Sequence, residues 1–203
     1  NEKTLQQWGV DYLVCHAHPN SHATYYPGSS QMSIKLIFSR PEGKILGAQI
    51  VGYDNVDKAI DALATAIRAR MTVYDLQDLE LAYAPPFSSA KTPVNLVGYV
   101  AGNILDGMVE PVRWEDVQSL VKEGALLVDV RTGEEFQKMP VEGAVNMPLD
   151  DLRGNLDQLS EGQEVLAFCQ VGLRSYVANR ILRQKGFKVK NISGGYKLYP
   201  KGK

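Results

Sequence analysis

A cysteine, four residues and an arginine form the most reactive arrangement in the sequence: Cys169, Gln170, Val171, Gly172, Leu173 and Arg174. The cysteine closes an apolar run, EVLAFC (164–169), and a helical pattern, RSYVANRILRQKG (174–186), begins directly after the loop. A nucleophile at the carboxyl end of a buried strand and ahead of a helix stands where α/β proteins place ligands. Three effects then favour its thiolate: loop amides turned inward as a nest, the free N–H groups and positive end of the helix, and the fixed charge of Arg174. Gly172 permits the tight turn, and Ser175 stands where it can cap the helix or hydrogen-bond within the loop. A sulfur anion, thiolate or persulfide, suits such a ring of weak donors better than a neutral group. The bland alternative, an inert strand-end cysteine, fits a lone Cys better than one with this Gly, Arg and helix behind it.

Loop length separates two chemistries. The protein tyrosine phosphatase pattern has one residue more between its Cys and Arg, a cradle wide enough for a phosphoryl group. The shorter loop here suits one sulfur atom on the cysteine, which disfavours a cysteine phosphatase or arsenate reductase. Around this loop, VDVRTGEEF (128–136), GAVNMPLDDLR (143–153), CQVGLRS (169–175) and GFKVKNISGGY (186–196) run in order. Together they make residues 111–200 resemble a rhodanese domain. The resemblance implies sulfane sulfur taken onto Cys169 as a persulfide and passed to a nucleophilic acceptor. Residues 170–174 would then form the cradle, with Arg174 as anion-binding or loop-fixing residue and Ser175 in support. Asp129 and Arg131, the family's D-x-R, are implied as a scaffold pair. Two departures, Met139-Pro140 in place of a Gly-His and Tyr199 where a Trp often stands, should alter the pocket rim.

The elements that must position this loop are legible as an alternation. WEDVQSLVKEG (114–124) is an amphipathic helix, and ALLVDV (125–130) is a near-continuous apolar strand of the kind buried on both faces. GEEFQK (133–138) reads as a short helix, GAVNMPL (143–149) as an extended run and LRGNLDQLS (152–160) as helical. KVKNI (188–192) is the last strand. A small α/β domain with a parallel sheet over 110–203 is the economical architecture.

Residues 1–109 have another rhythm, that of an α+β domain with an antiparallel sheet. VDYLVCHAH (10–18), MSIKLIF (32–38) and ILGAQIVGY (45–53) are strand-like, the last two joined as a hairpin through SRPEGK. VDKAIDALATAIRAR (56–70) turns helical, with Ile60, Leu63, Ala64 and Ile67 on one face. Thr72 and Asp75 suggest a capping box. PPFSSAKTP (85–93) is irregular, and VNLVGYVAGNILDGM (94–108) is a helix whose Gly98 and Gly102 permit close packing. Near VEPVR (109–113) Pro111 interrupts the helical pattern and marks the boundary.

Strand alternation puts Cys15 and His16 on opposite faces, so the cluster Cys15, His16, His18 and His22 is a poor metal site. Polar contacts and burial are the expectation, with no metal. HATYYPG, GKILGAQIVG, VDKAIDALATAI and YAPPFSSAKTPVN resemble the dimerisation domain of pyridine nucleotide-disulfide oxidoreductases, closest to the coenzyme A-disulfide reductase and NADH-oxidase-like branch. The resemblance implies a homodimer in a longer parent, with Tyr26 and Tyr83, and less securely Tyr25, beside the partner's redox and coenzyme A site. It further implies FAD, NAD(P)H and coenzyme A for that parent, and no cofactor within this chain. The tandem resembles fusions that reduce coenzyme A disulfides, persulfides or polysulfides. A non-catalytic interaction or dimerisation module is the competing reading.

The bulk numbers agree with an ordinary packed protein. The 203 residues are 44% hydrophobic, with 22 Lys+Arg against 23 Asp+Glu, so no cationic excess invites nucleic acid or anionic lipid. Two cysteines are no disulfide framework, and no apolar run is long enough to span a bilayer. The expected setting is the cytoplasm, and the expected small partners are low-molecular-weight thiols, persulfides or thiosulfate. The opening NEKTLQQWGVDY suggests a piece of something longer.

Overall fold

Hydrophobic period two, then period 3.6, organises the first of two units, Asn1–Asp106, in a computed structural model that describes residues 1–200. After a short helix α1 (Glu2–Gln7), strands β1 (Tyr12–Ala17), β2 (Ser33–Ser39) and β3 (Ile45–Val51) form an antiparallel sheet in chain order. Ile34, Leu36 and Phe38 alternate inward from β2. Cys15 lies opposite Leu36 in the ladder. Helix α2 (Val56–Arg68) packs on β3, and α4 (Pro93–Leu105) packs on β1 and on α3 (Val73–Gln77).

The α2 face differs from the expected one. Ala59, Leu63 and Ala66 are buried, Ile60 and Ile67 are half-buried, and Ala64 is exposed. Small alanines let the helix lie close to the sheet, so the larger isoleucines flank the contact. Thr72 and Asp75 do form a capping box. Thr92 and Asn95 form a second one that starts α4 at Pro93, inside the stretch expected to be irregular. Proline at the first turn costs the helix no bond. A Cβ on Gly98 would come within 2.8 Å of Leu76 Cβ, so the two helices meet only because that residue is glycine.

The second unit begins at Gly107. Its elements are β4 (Pro111–Val112), α5 (Trp114–Lys122), β5 (Leu126–Asp129), α6 (Gly133–Lys138), β6 (Val145–Asn146), β7 (Glu164–Phe168), α7 (Leu173–Gln184) and β8 (Lys188–Ile192). The parallel sheet has the order β4-β8-β7-β5-β6. From β5 the chain steps outward to β6 and then returns to β5's other side for β7, and such a reversal opens a crevice at the strands' carboxyl ends. Val165, Ala167 and Cys169 share one apolar cluster with Ala178, Ile181 and Leu182 of α7. Leu166 and Phe168 belong to another, with Val117 of α5. Period two thus delivers Cys169 to the α7 face.

One expectation fails in this unit. Residues 152–160 form two single turns of 3-10 helix, Leu152–Gly154 and Leu156–Gln158, instead of an α-helix. Gly154 and Asn155 interrupt the pattern, and Asn155 donates its side-chain amide back to the Asp151 carbonyl. Pro111 does not simply break the chain's pattern but opens the edge strand β4, where a missing N–H costs no ladder bond.

Candidate active site

The loop after β7 closes on the Cys169 sulfur. Gly172, at φ +103°, turns its N–H toward Sγ at 3.2 Å, and the Ser175 hydroxyl lies 3.6 Å from Sγ and 3.1 Å from the Gly172 carbonyl. Ser175 therefore serves the loop and makes no helix cap; Gly172 occupies the cap position of α7. Cys169 and Ser175 are fully buried, Gln170 and Val171 half-buried, and Leu173 exposed. The Gln170 side-chain oxygen is buried with no hydrogen-bond partner among the described residues.

What holds the loop's amides on this side is the turn after β8. The N–H groups of Tyr196 and Lys197, in a short 3-10 helix (Gly195–Leu198), donate to the carbonyls of Cys169 (2.7 Å) and Gln170 (3.0 Å). With those carbonyls drawn outward, the following peptides can face the sulfur. Gly195 sits at φ +58°, and a Cβ there would collide with the Cys169 carbonyl and crowd the Gly172 nitrogen.

Arg174 is not a free cation. Its Nη1 and Nη2 donate to Oε2 and Oε1 of Glu135 at 2.6 and 2.7 Å. Glu135 is fixed in turn by a capping box on α6, accepting from the Thr132 N–H at 3.0 Å while Thr132 Oγ1 accepts from the Glu135 N–H. The Arg174 bonds, with smaller help from Thr132, hold the Glu135 carboxyl at about 2 against an ordinary 4.5. The guanidinium pKa is raised, first by Glu135 and to a lesser degree by the Cys169 sulfur.

Asp129 and Arg131 form the second ion pair of this region, with both side chains fully buried and Nη2–Oδ2 at 2.6 Å. Arg131 Nε reaches both carboxylate oxygens, and Nη2 also donates to the Met139 carbonyl at 2.8 Å. The guanidinium carbon stands 4.3 Å from the Tyr196 ring centre, a cation–π contact, and among the described residues Nη1 has no hydrogen-bond partner. The pair therefore ties β5, the segment after α6 and the turn that grips the loop. Met139 contributes its carbonyl to this scaffold, and Tyr199 stacks on Tyr196 and meets Trp114 edge-on.

In the first unit, Tyr83 pairs with Tyr25, whose hydroxyl is 2.8 Å away, and both side chains are exposed. That bond raises the Tyr25 pKa. Tyr26 is placed differently, edge-on to the His22 ring and about half-exposed. Cys15 is fully buried and its thiol is pushed up to about 12 by desolvation. His18 Nδ1 contacts Ser33 Oγ and His22 Nδ1 contacts the Ala23 carbonyl. Among the described residues no group of three or more His, Cys, Asp or Glu side chains is arranged to hold a metal ion.

Residues 1–94 match the family model for the pyridine nucleotide-disulphide oxidoreductase dimerisation domain, and residues 114–201 that for the rhodanese-like domain. The chain thus matches, in order, an oxidoreductase dimerisation-domain family and a rhodanese-like one. Reduced Bacillus anthracis CoADR-RHD is 51% identical, with a TM-score of 0.95 over 98% of this chain and 36% of that one. A NAD-dependent persulfide reductase from A. fulgidus is 38% identical, with a TM-score of 0.85 over 96% of this chain and 35% of that one. The coenzyme A disulfide reductase of Staphylococcus aureus (strain bovine RF122 / ET3-1) is 40% identical over 91 residues, 45% of this chain and 21% of that protein. The chain thus spans about a fifth of the curated relatives it matches and about a third of these solved structures.

Neither domain fits a dinucleotide cofactor. The sheet of the dimerisation domain is antiparallel, and the strand–glycine–helix turn of the rhodanese-like domain is closed on sulfur and backed by Gly195. Among the described residues no helix is long and apolar enough to cross a membrane. Glu135 and the Gly194–Gly195 turn were not singled out from the sequence. The G-G pair was the turn's only local signal, and Glu135, 39 residues from Arg174, carried no signal beyond its capping position.

Proposed function

We propose that Cys169 of the rhodanese-like domain carries sulfane sulfur as a persulfide. The Cys169 thiolate attacks the outer sulfur of a donor, whose S–S bond breaks and leaves its electron pair on sulfite or on a thiolate. A new S–S bond joins that sulfur to Sγ, and an acceptor thiolate removes it by the same exchange in reverse, with no net oxidation. Gln170, Val171, Gly172 and Leu173 supply the cradle, Ser175 donates within it, and Arg174, Asp129 and Arg131 hold its shape. The observation that carries this reading is the Gly172 N–H directed at Sγ, with the Ser175 hydroxyl beside it.

The names of the relatives support a wider setting. The chain acts in a longer homodimeric enzyme that uses FAD and NAD(P)H to reduce coenzyme A disulfide, persulfide or polysulfide. Tyr25, Tyr26 and Tyr83 serve its thiol site. Incubation of the chain with thiosulfate or glutathione persulfide should add one sulfur, about 32 Da by intact mass. Cys169→Ser should abolish the adduct and Cys15→Ser should keep it; an adduct that survives Cys169→Ser rejects the assignment.

A further inference from the structure

We propose that Glu135 sets the donor preference of Cys169, disfavouring dianionic donors such as thiosulfate and favouring thiol-bound persulfides. This rests on the persulfide reading above. A rhodanese-type loop needs a local positive charge to attract a donor that is itself doubly negative and that releases a sulfite dianion. The one cation at the start of α7 is Arg174, and its two terminal nitrogens already fork onto both oxygens of Glu135. That end-on geometry is the one a sulfonate group would use. An incoming dianion must therefore displace a carboxylate or share the cation with it. A persulfide donor asks less, because its leaving group is a single thiolate that the loop amides and Ser175 can receive.

The carboxylate is not incidental to the pair. It is anchored from behind by Thr132 through the capping box, so it cannot swing off Arg174 without loosening the start of α6. With its carboxyl held at about 2, Glu135 is charged throughout the neutral range. The two side chains are half-buried, and Arg174 lies near enough to Cys169 for the sulfur to raise its pKa.

The test compares the full chain with E135Q, in which glutamine preserves the capping-box acceptor while removing the charge. Persulfide formation on Cys169 is followed by intact mass with thiosulfate and, separately, with glutathione persulfide. The E135Q chain should gain about tenfold in kcat/KM for thiosulfate, mainly through a lower KM, the scale of one charge-assisted hydrogen bond. Its kcat/KM for glutathione persulfide should stay within about twofold. Adding R174Q to E135Q should erase the gain. A donor ratio unchanged or reversed in E135Q overturns the inference. Excess sulfate offers a measurement on the unaltered chain: it should leave loading by glutathione persulfide unaffected, and competitive inhibition would equally overturn it. Failure of both donors to load the unaltered chain would instead reject the persulfide reading itself.

Discussion

Cys15 and Cys169 are both free thiols with no solvent exposure, yet their surroundings differ in kind. Cys15 lies mid-strand in an antiparallel ladder among Leu36, Leu63 and Val97, where burial pushes its thiol to about 12. Cys169 has apolar neighbours too, but it stands one residue past the end of a parallel strand, where the chain must turn. The turn brings an N–H and a hydroxyl to its sulfur. Burial alone does not make a cysteine inert. What separates the two is how many donors are buried with it: Cys15 has one backbone hydrogen bond, with Leu36, which burial outweighs, whereas the strand end gives Cys169 both a loop N–H and a hydroxyl.

The largest test of that contrast is exchange of the two sulfurs. Cys169→Ser should lose sulfur loading entirely by intact mass, while Cys15 should resist alkylation at neutral pH until the chain unfolds, since almost none of it is thiolate. Next, Arg131→Met strips the buried Asp129 carboxyl of its guanidinium and leaves it the residue-131 N–H. It should destabilise the rhodanese-like domain by about 3–5 kcal/mol, read as a lower urea midpoint. A smaller but more local effect is expected of Gly195→Ala. Strain of about 1–3 kcal/mol at a positive φ, with the collision against the loop, should slow sulfur loading by roughly tenfold with the fold retained. An unchanged rate would show that the turn does not shape the cradle.

The smallest effect is that of the Arg174–Glu135 pair on stability. Because the folded carboxyl lies near 2 and the ordinary value is 4.5, its contribution is complete above about pH 4.5 and fades as pH falls toward 2. After solvent screening it is worth no more than about 1 kcal/mol. The difference in thermal midpoint between the unaltered chain and E135Q should be present at pH 6 and vanish as pH is lowered through that window.

Residues acting through near neighbours were legible in the sequence. The Cys169 loop, the Thr72 capping box, the Gly98 contact and every long strand follow from periods, caps and spacing within a few residues. The fold class of both domains followed from the same signals. Partners set by the sheet order were not legible. Glu135 meets Arg174 because β5 and β7 are neighbours, and Tyr83 meets Tyr25 across 58 positions of chain. Alanine was undervalued on α2 for a related reason. Hydrophobic size predicts which face is apolar, whereas the distance between helix and sheet decides which residues the contact needs.

The grip of Tyr196 and Lys197 on the Cys169 and Gln170 carbonyls sets an order of assembly. During synthesis the cysteine leaves the ribosome well before the segment that shapes its surroundings. A nascent chain paused ahead of Ser193 holds the nucleophile but not the clamp, so its ability to accept sulfur should switch on only once the final turn emerges and docks.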